Sequence, residues 1–344
     1  MYLINLECLI LIMDKIHKED FLNQKIIPFN VKEVKNVDDL LRALKYCGFQ
    51  GRNLGKALDV LYNMVSSKSI LTVLTLSGAM VPAGMGEIIC ALMEQNLIDV
   101  IVSTGANVIH DLVDIFTDVG HYVGNANADD DKLYRHRINR IYDVFLPEDN
   151  YKKTEKEILS IIKKIFHKKI IEVTPSEFLK KLGENINKRC ILSIAAKYNI
   201  PIFVPAFSDS ELALDLIVYS LKEDYVFKFD ILGDITKFGE IIKNFEEHGT
   251  LIIGGGVPRN WAQQIFPLLD QIDKKKFKGY TFSVRIHTAN EYDGGLSGCT
   301  VSESKSWGKY SLESKYVSVW CDATIALPIL VTGLFQRLNI IKKG

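Results

Sequence analysis

The sequence has no surplus of either charge: 42 Lys+Arg stand against 42 Asp+Glu in 344 residues. A nucleic-acid binder draws affinity from neutralising phosphates, so this balance leaves no footprint for that class. None of the six cysteines (Cys8, Cys47, Cys90, Cys190, Cys299, Cys321) forms a CxxC or a metal-ligand spacing. They read as isolated thiols in a reducing compartment, with no structural metal. A membrane span needs ~20 apolar residues. The opening MYLINLECLILIM is shorter and is interrupted by Glu7, and no small-residue cleavage site follows it. Either Met13 is the true start or this segment packs on a neighbouring subunit, and the expectation is a cytoplasmic protein without membrane contact. A strict GxGxxG is also absent, so the ordinary dinucleotide-fingerprint inference is not available.

What is present is a globular composition, 47% apolar and 24% charged, which excludes global disorder. The length suits one large α/β domain or two of ~150 residues each, and a core of this size needs no metal or disulfide staple. Residues 14–66 read as helical. At Ile70 the texture changes: SILTVLTLSG suits a buried parallel strand, and MVPAGMGEIICALMEQNL then has helical spacing. IDVIVSTGAN, IPIFVPAFSD, GTLIIGGG, GYTFSVRIHTA and YVSVW read as further strands, with helices at VIHDLVDIF, CILSIAAKYN, VPRNWAQQIF and ATIALPILVTGLF. Strands alternating with helices predict an α/β fold, a mostly parallel sheet with helices on both faces. The expected division is an N-terminal helical extension over 1–68 and a catalytic domain over 69–344. The lysine-rich KKTEKEILSIIKKIFHKK reads as a solvated helix face.

Ligands of an open parallel sheet bind beyond the carboxyl ends of its strands. The expected ends are small or polar: Ser77-Gly78-Ala79, Thr104-Gly105-Ala106, Ser208-Asp209, Gly254-Gly255-Gly256, Thr288-Ala289 and Asp322-Ala323. Such ends let backbone N–H groups approach a phosphate, with a helix N-terminus behind them. Gly254–Gly256, with Pro258 just inside the next helix, fits best, although a lone GGG is more often a tight turn. The other dense region is the polar stretch Thr288–Tyr310, TANEYDGGLSGCTVSESKSWGKY. A long polar loop inside a compact domain is usually functional. Lys309 stands two residues after Trp307, with Glu291, Asp293 and Glu303 nearby. A lysine is a nucleophile only when neutral, which takes desolvation or neighbouring cations. Aromatic faces with carboxylates also suit a cationic amine. The bland alternative is a surface lysine beside a packed tryptophan.

The loop SGCTVSESKSWGKY resembles the signature loop of the deoxyhypusine synthase family, in which an SWGK lysine is the nucleophile. The likeness continues through STGANVIHDL, HRINRIYDVFLPEDNY, PIFVPAFSDSELALDL, LIIGGGVPRNWA, HTANEYDG and CDATIALPILV, in order, over roughly residues 70–335. It implies a Rossmann-like NAD-binding domain, a homotetramer with sites at subunit interfaces, and transfer of the aminobutyl group of spermidine. Carried over by motif, Lys309 forms the imine with that group, and Glu303 and Trp307 line the polyamine pocket. His110 and Asp215 fall among the amine-binding positions. Ser77, Thr104, Gly105, Ala106, Asp209, Gly255, Thr288, Ala289, Asp293, Ser297, Asp322 and Ala323 fall in the NAD site.

In the chemistry the resemblance implies, NAD takes hydride from a carbon beside spermidine's secondary amine and later returns it. Loss of 1,3-diaminopropane passes the four-carbon unit to Lys309, and an acceptor amine then displaces the lysine. The acceptor expected first is a lysine of the hypusine-bearing translation initiation factor. The alternative is a homospermidine-type enzyme using free putrescine, and a third reading is a catalytically silent NAD-binding subunit. Departures from the eukaryotic pattern bear on this. Leu296 replaces an amine-binding acid, Asn260 a histidine and His110 a glutamate, while Asp215 lies one residue beyond the expected acid, at Leu214. These look like the archaeal and bacterial branches. His121, His136, His167, His248 and His287 show no metal spacing, and Asp129-Asp130-Asp131 reads as solvated.

Overall fold

A computed structural model describes residues 21–272 and 277–342. The segment 1–13, with Cys8 and Met13, lies outside the described residues. Two helices come first, α1 (Val37–Leu44) and α2 (Phe49–Val65). There follow β1 (Ile70–Leu76), α3 (Gly86–Glu94), β2 (Val100–Ser103) and α4 (Gly105–Phe116). The short strands β3 (Tyr122–Val123), β4 (Ile138–Ile141) and β5 (Val144–Pro147), with α5 (Asp130–Arg135) between β3 and β4, make a small antiparallel sheet. Next come α6 (Glu148–Ile165), β6 (Ile170–Val173), α7 (Pro175–Glu184), α8 (Ile191–Tyr198) and β7 (Ile202–Phe203). They lead to α9 (Glu211–Glu223), β8 (Val226–Phe229) and α10 (Ile231–Lys243). The chain closes with β9 (Glu247–Ile253), α11 (Gly256–Ile272), β10 (Tyr280–His287), α12 (Val301–Ser306), β11 (Tyr310–Trp320) and α13 (Ala323–Arg337).

The main sheet has six strands in the order β11-β10-β9-β1-β2-β7, every pairing parallel. It is the expected α/β fold, and β1 shows why. Its side chains alternate between two faces: Ile70, Leu74 and Leu76 join one apolar cluster, Leu71 and Val73 the other. Both faces are therefore covered, and the strand reads as a run of β-branched and leucine residues. α1, α2, α3, α4 and α13 supply the first cluster, α10 and α11 the second.

Several expectations shift. The strand over IPIFVPAFSD shrinks to Ile202–Phe203, because Pro201 and Pro205 bracket it and cannot donate to a ladder. The helix expected from Met80 starts at Gly86, after a turn held by Gly84 at φ 84°. The lysine-rich stretch forms α6, which ends at Ile165 before the run's last residues and is not wholly solvated, since Thr154, Ile158 and Ile162 are buried. The loop Thr288–Tyr310 is not structureless: Thr300 caps α12 by accepting the Glu303 N–H. The cysteines among the described residues are all free thiols. No described helix is long and apolar enough to cross a membrane.

The helices before β1 pack into the main core. Gly55 lets α2 cross α1 closely, since a Cβ there would stand 2.5 Å from the Leu41 carbonyl oxygen. Arg337 at the end of α13 ties both helices down, donating to Asp38 at 2.8 Å and Asp59 at 2.6 Å. Burial alone would raise the Asp38 carboxyl, but hydrogen bonds from Arg42 and Arg337 outweigh it and hold the group below its ordinary value. Asp38 therefore contributes stability that is complete above the unfolded carboxylate pKa of about 4 and is lost as pH falls through the lower folded value. Arg337→Gln should cost about 2–3 kcal/mol, below the loss for a wholly stranded charge because Arg42 remains. The same variant should weaken the acid dependence of stability, which urea titrations from neutral pH downward will show.

Candidate active site

The winding of the sheet reverses between β1 and β9. From β1 the chain moves outward to β2 and β7, and from β9 the other way to β10 and β11. The carboxyl ends of β1 and β9 thus splay their following segments apart, and a crevice opens between them. In it lies a cavity of about 250 Å³ whose rim includes Ser77, Thr104, Gly105, Asp209, Gly255 and Ser297. Six residues expected at the cofactor are gathered there. α4 and α11 both begin at this cavity, so their free N–H groups and positive ends face it.

Glycine is needed where the walls come close. A Cβ on Gly255 would lie 3.0 Å from both Arg285 Nη2 and Ser297 Cα, and one on Gly105 would lie 2.3 Å from Ser210 Cβ. Ser77 Oγ donates to the Gly255 carbonyl, joining the ends of β1 and β9. Asn107, which the sequence reading passed over, fixes the turn after β1. Its Nδ2 donates to Gly78 O at 3.1 Å, and its Oδ1 accepts the N–H groups of Met80 at 2.9 Å and Val81 at 3.2 Å.

Lys309 does not come from a carboxyl strand end. It immediately precedes β11, and its carbonyl accepts the Tyr280 N–H at the start of β10. Gly308, at φ 70°, turns the chain out of α12. The lysine is 6% exposed and reaches a second cavity of about 310 Å³, shared with Asn260, Gln264, Glu291, Glu303 and Trp307. Nζ donates to Asn260 Oδ1 at 2.8 Å and lies 5.6 Å from the Trp307 ring centroid. Its pKa is lowered, first by burial. Arg259 acts in the same direction, while Cys299 and Glu303 oppose. Asn260 and Gln264 stand one turn apart on α11, a spacing legible in the sequence although Gln264 was missed. Leu296 and Cys299 line this cavity and Ser297 the other, so one short stretch walls both. Behind it sit Arg259 and Arg285, buried cations that no sequence pattern marked.

The remaining expected residues lie apart from the two cavities. Ala106 follows Gly105 into α4. Thr288, Ala289 and Asp293 follow β10, where Asp293 accepts the Gly295 N–H in an exposed turn. Asp322 caps α13 by accepting the Thr324 N–H at 2.7 Å, with Ala323 beside it. His110 and Asp215, on α4 and α9, belong to a polar cluster elsewhere. His110 Nδ1 and His121 Nε2 are 2.9 Å apart, and His121 bonds Asp114 at 2.6 Å. Burial, then His121, pushes His110 down to about 4, so it is neutral at pH 7. Burial, then Glu211 and Glu155, pushes Asp215 up to about 7. A depression of about 550 Å³ around Glu94, Arg189 and Lys197 is larger than either cavity, but helices and their connections form its walls and no strand end opens into it.

Over residues 39–334 the sequence matches the family described as deoxyhypusine synthase. It is 35% identical over 332 residues to the protein named Probable deoxyhypusine synthase 2 from Methanosarcina mazei, covering 95% of this chain and 94% of that one. The Deoxyhypusine synthase-like protein of Chlorobaculum parvum is 31% identical over 330 residues, 94% of this chain and 92% of its own. In three dimensions the chain resembles the crystal structure of a deoxyhypusine synthase candidate from Entamoeba histolytica, with TM-score 0.64 and 19% identity over 90% of this chain and 96% of that one. The near-full-length identities and the family match agree with the motifs around Lys309, and the chain belongs to the deoxyhypusine synthase family.

Proposed function

We propose that this protein is an NAD-dependent aminobutyltransferase that takes the four-carbon amine of spermidine onto Lys309 and passes it to a lysine of a translation initiation factor. The observation that carries this reading is a buried lysine with a lowered pKa, sharing a cavity with an indole and two carboxylates. The other cavity suits a dinucleotide: its wall at Gly255 carries no side chain and is packed so closely that a Cβ would stand 3.0 Å from Arg285 Nη2, and two helix N-termini face it. Ser77, Thr104, Gly105, Asp209, Gly255 and Ser297 would hold the cofactor. NAD, when bound, supplies a hydride acceptor and later a donor.

The chain's own residues do the rest. Glu303 and Glu291 attract the cationic amine, and the Trp307 face adds cation–π attraction. Asn260 accepts an N–H of Nζ, which leaves the nitrogen lone pair free to point into the cavity. Once hydride loss has made the bond from the four-carbon unit to the secondary nitrogen an imine, the neutral Lys309 amine adds to its carbon. The 1,3-diaminopropane leaves with the proton, so the four-carbon unit remains on Lys309 as an imine. The acceptor amine then displaces Lys309. Trp307 is 63% exposed and Tyr292 93%, so the cavity rim is open on one subunit. A cytoplasmic homotetramer with sites at its interfaces would cover it. Leu296, apolar where an acid would hold an amine, favours a second reading in which putrescine replaces the protein acceptor. Competition between putrescine and the factor for labelled aminobutyl groups separates the two.

Three outcomes are expected. Gly255→Asp, which puts bulk and negative charge against the cradle, should abolish NAD binding in calorimetry, and unchanged affinity would remove the cofactor assignment. Trp307→Ala should weaken spermidine binding by ~0.5–2 kcal/mol, and Glu303→Gln should weaken it as well. Wild-type affinity in both would place the amine elsewhere. Lys309→Arg keeps the charge, but a guanidinium offers no neutral amine at working pH. Borohydride with labelled spermidine and NAD should trap an adduct on the Lys309 peptide of the wild type and none on the variant. An adduct on another lysine, or near-normal transfer by the variant, would overturn the nucleophile.

A further inference from the structure

Arg259 on α11 and Arg285 on β10 are 3% and 2% exposed, among the most deeply buried charges of the chain. A buried guanidinium is normally matched by a carboxylate. Here every hydrogen-bond acceptor recorded for the two is a backbone carbonyl. Arg259 Nη1 and Arg285 Nη1 both donate to Cys299 O, at 2.8 and 3.0 Å. Arg285 Nε donates to Gly254 O at 3.0 Å, and its Nη2 donates to Ser297 O. Arg259 Nε is buried with no hydrogen-bond partner among the described residues. Carbonyl dipoles solvate a guanidinium without cancelling its charge. The two cations therefore repel one another and act on any ionisable group close by. Burial first, then Arg259, pushes Arg285 down to about 10.

Two groups close by feel that charge: His287, lowered by burial and then by both arginines, and Lys309, lowered by burial and by Arg259. Asn260, which accepts from the Lys309 Nζ, is the next residue after Arg259. Cys299, whose carbonyl both guanidiniums grip, lines its cavity. That cavity faces opposing demands. Carboxylates are needed to hold a cationic amine, yet each one favours the protonated lysine. Glu303 on α12 acts in that sense, as does Cys299, and the Trp307 face also favours a cation. Glu291 reaches the same cavity from the loop after β10. Against these stand burial and Arg259.

We infer that Arg259, backed by Arg285, is a positioning residue whose charge keeps the Lys309 amine available as a base while Glu291 and Glu303 bind the cationic ligand. The catalytic meaning of the pair rests on Lys309 being the nucleophile, but the charge effect itself does not.

Trace labelling with acetic anhydride across a pH series tests it, with no cofactor or amine present and exposed Lys156 as internal reference. In Arg259→Gln the Lys309 midpoint should rise, and its labelling at fixed pH should fall roughly threefold or more. Arg259→Lys keeps the charge and loses the fork, and should leave the midpoint near wild type. A purely structural role would disturb both variants alike. If Arg259→Gln does not fold, Arg259→Met, an uncharged chain of similar length, reads the same contrast against Arg259→Lys. An unmoved midpoint in a folded uncharged variant, or equal shifts in the uncharged and lysine variants, overturns the inference. Loss of adduct trapping at Lys309 in the wild type, with the midpoint shift intact, would sink the proposed reaction and leave the charge pair standing.

Discussion

Reversal of winding between β1 and β9 is the constraint on which the other features depend. Two adjacent parallel strands whose connections leave in opposite directions cannot close the space above their carboxyl ends. That space receives the N-termini of α4 and α11, the glycines at 254–256 and the side chains of Ser77 and Thr104. Because α11 starts there and runs back along the sheet, it carries Asn260 and Gln264 to the second cavity. The lysine cavity is therefore placed by the same reversal that opens the first, although Lys309 itself arrives from before β11.

Much of the fold was legible because strands buried on both faces read as runs of β-branched and leucine residues. β1, β2 and the Thr250–Ile253 end of β9 are of this kind. β11 was read only from its apolar end, YVSVW. It is an edge strand, and its first half is largely exposed, so residues such as Glu313 and Lys315 hide it. β3, β4 and β5 pair locally on the surface and bury little, so periodicity was silent there.

The site divides in the same way. Small residues at strand ends announce close backbone approach, and seven of the residues so marked gather at one cavity. Lys309 was marked by its long polar loop, but only the resemblance of that loop separated it from an ordinary surface lysine beside a tryptophan. Arg259 and Arg285 were invisible for the opposite reason. An arginine in a sequence reads as surface, and only packing reveals that two of them share one carbonyl in the interior.

The stretch 296–299 serves as a party wall, Ser297 facing one chamber and Leu296 and Cys299 the other. Its backbone is pinned from behind by guanidiniums, so a displacement on one side is not absorbed locally. Whatever fixes Ser297 also restricts Cys299. Were each chamber to take a guest, whatever the first did to the second's affinity would be returned by the same factor. A shared wall thus sets no preference for which chamber fills first, only a common gain or cost for filling both.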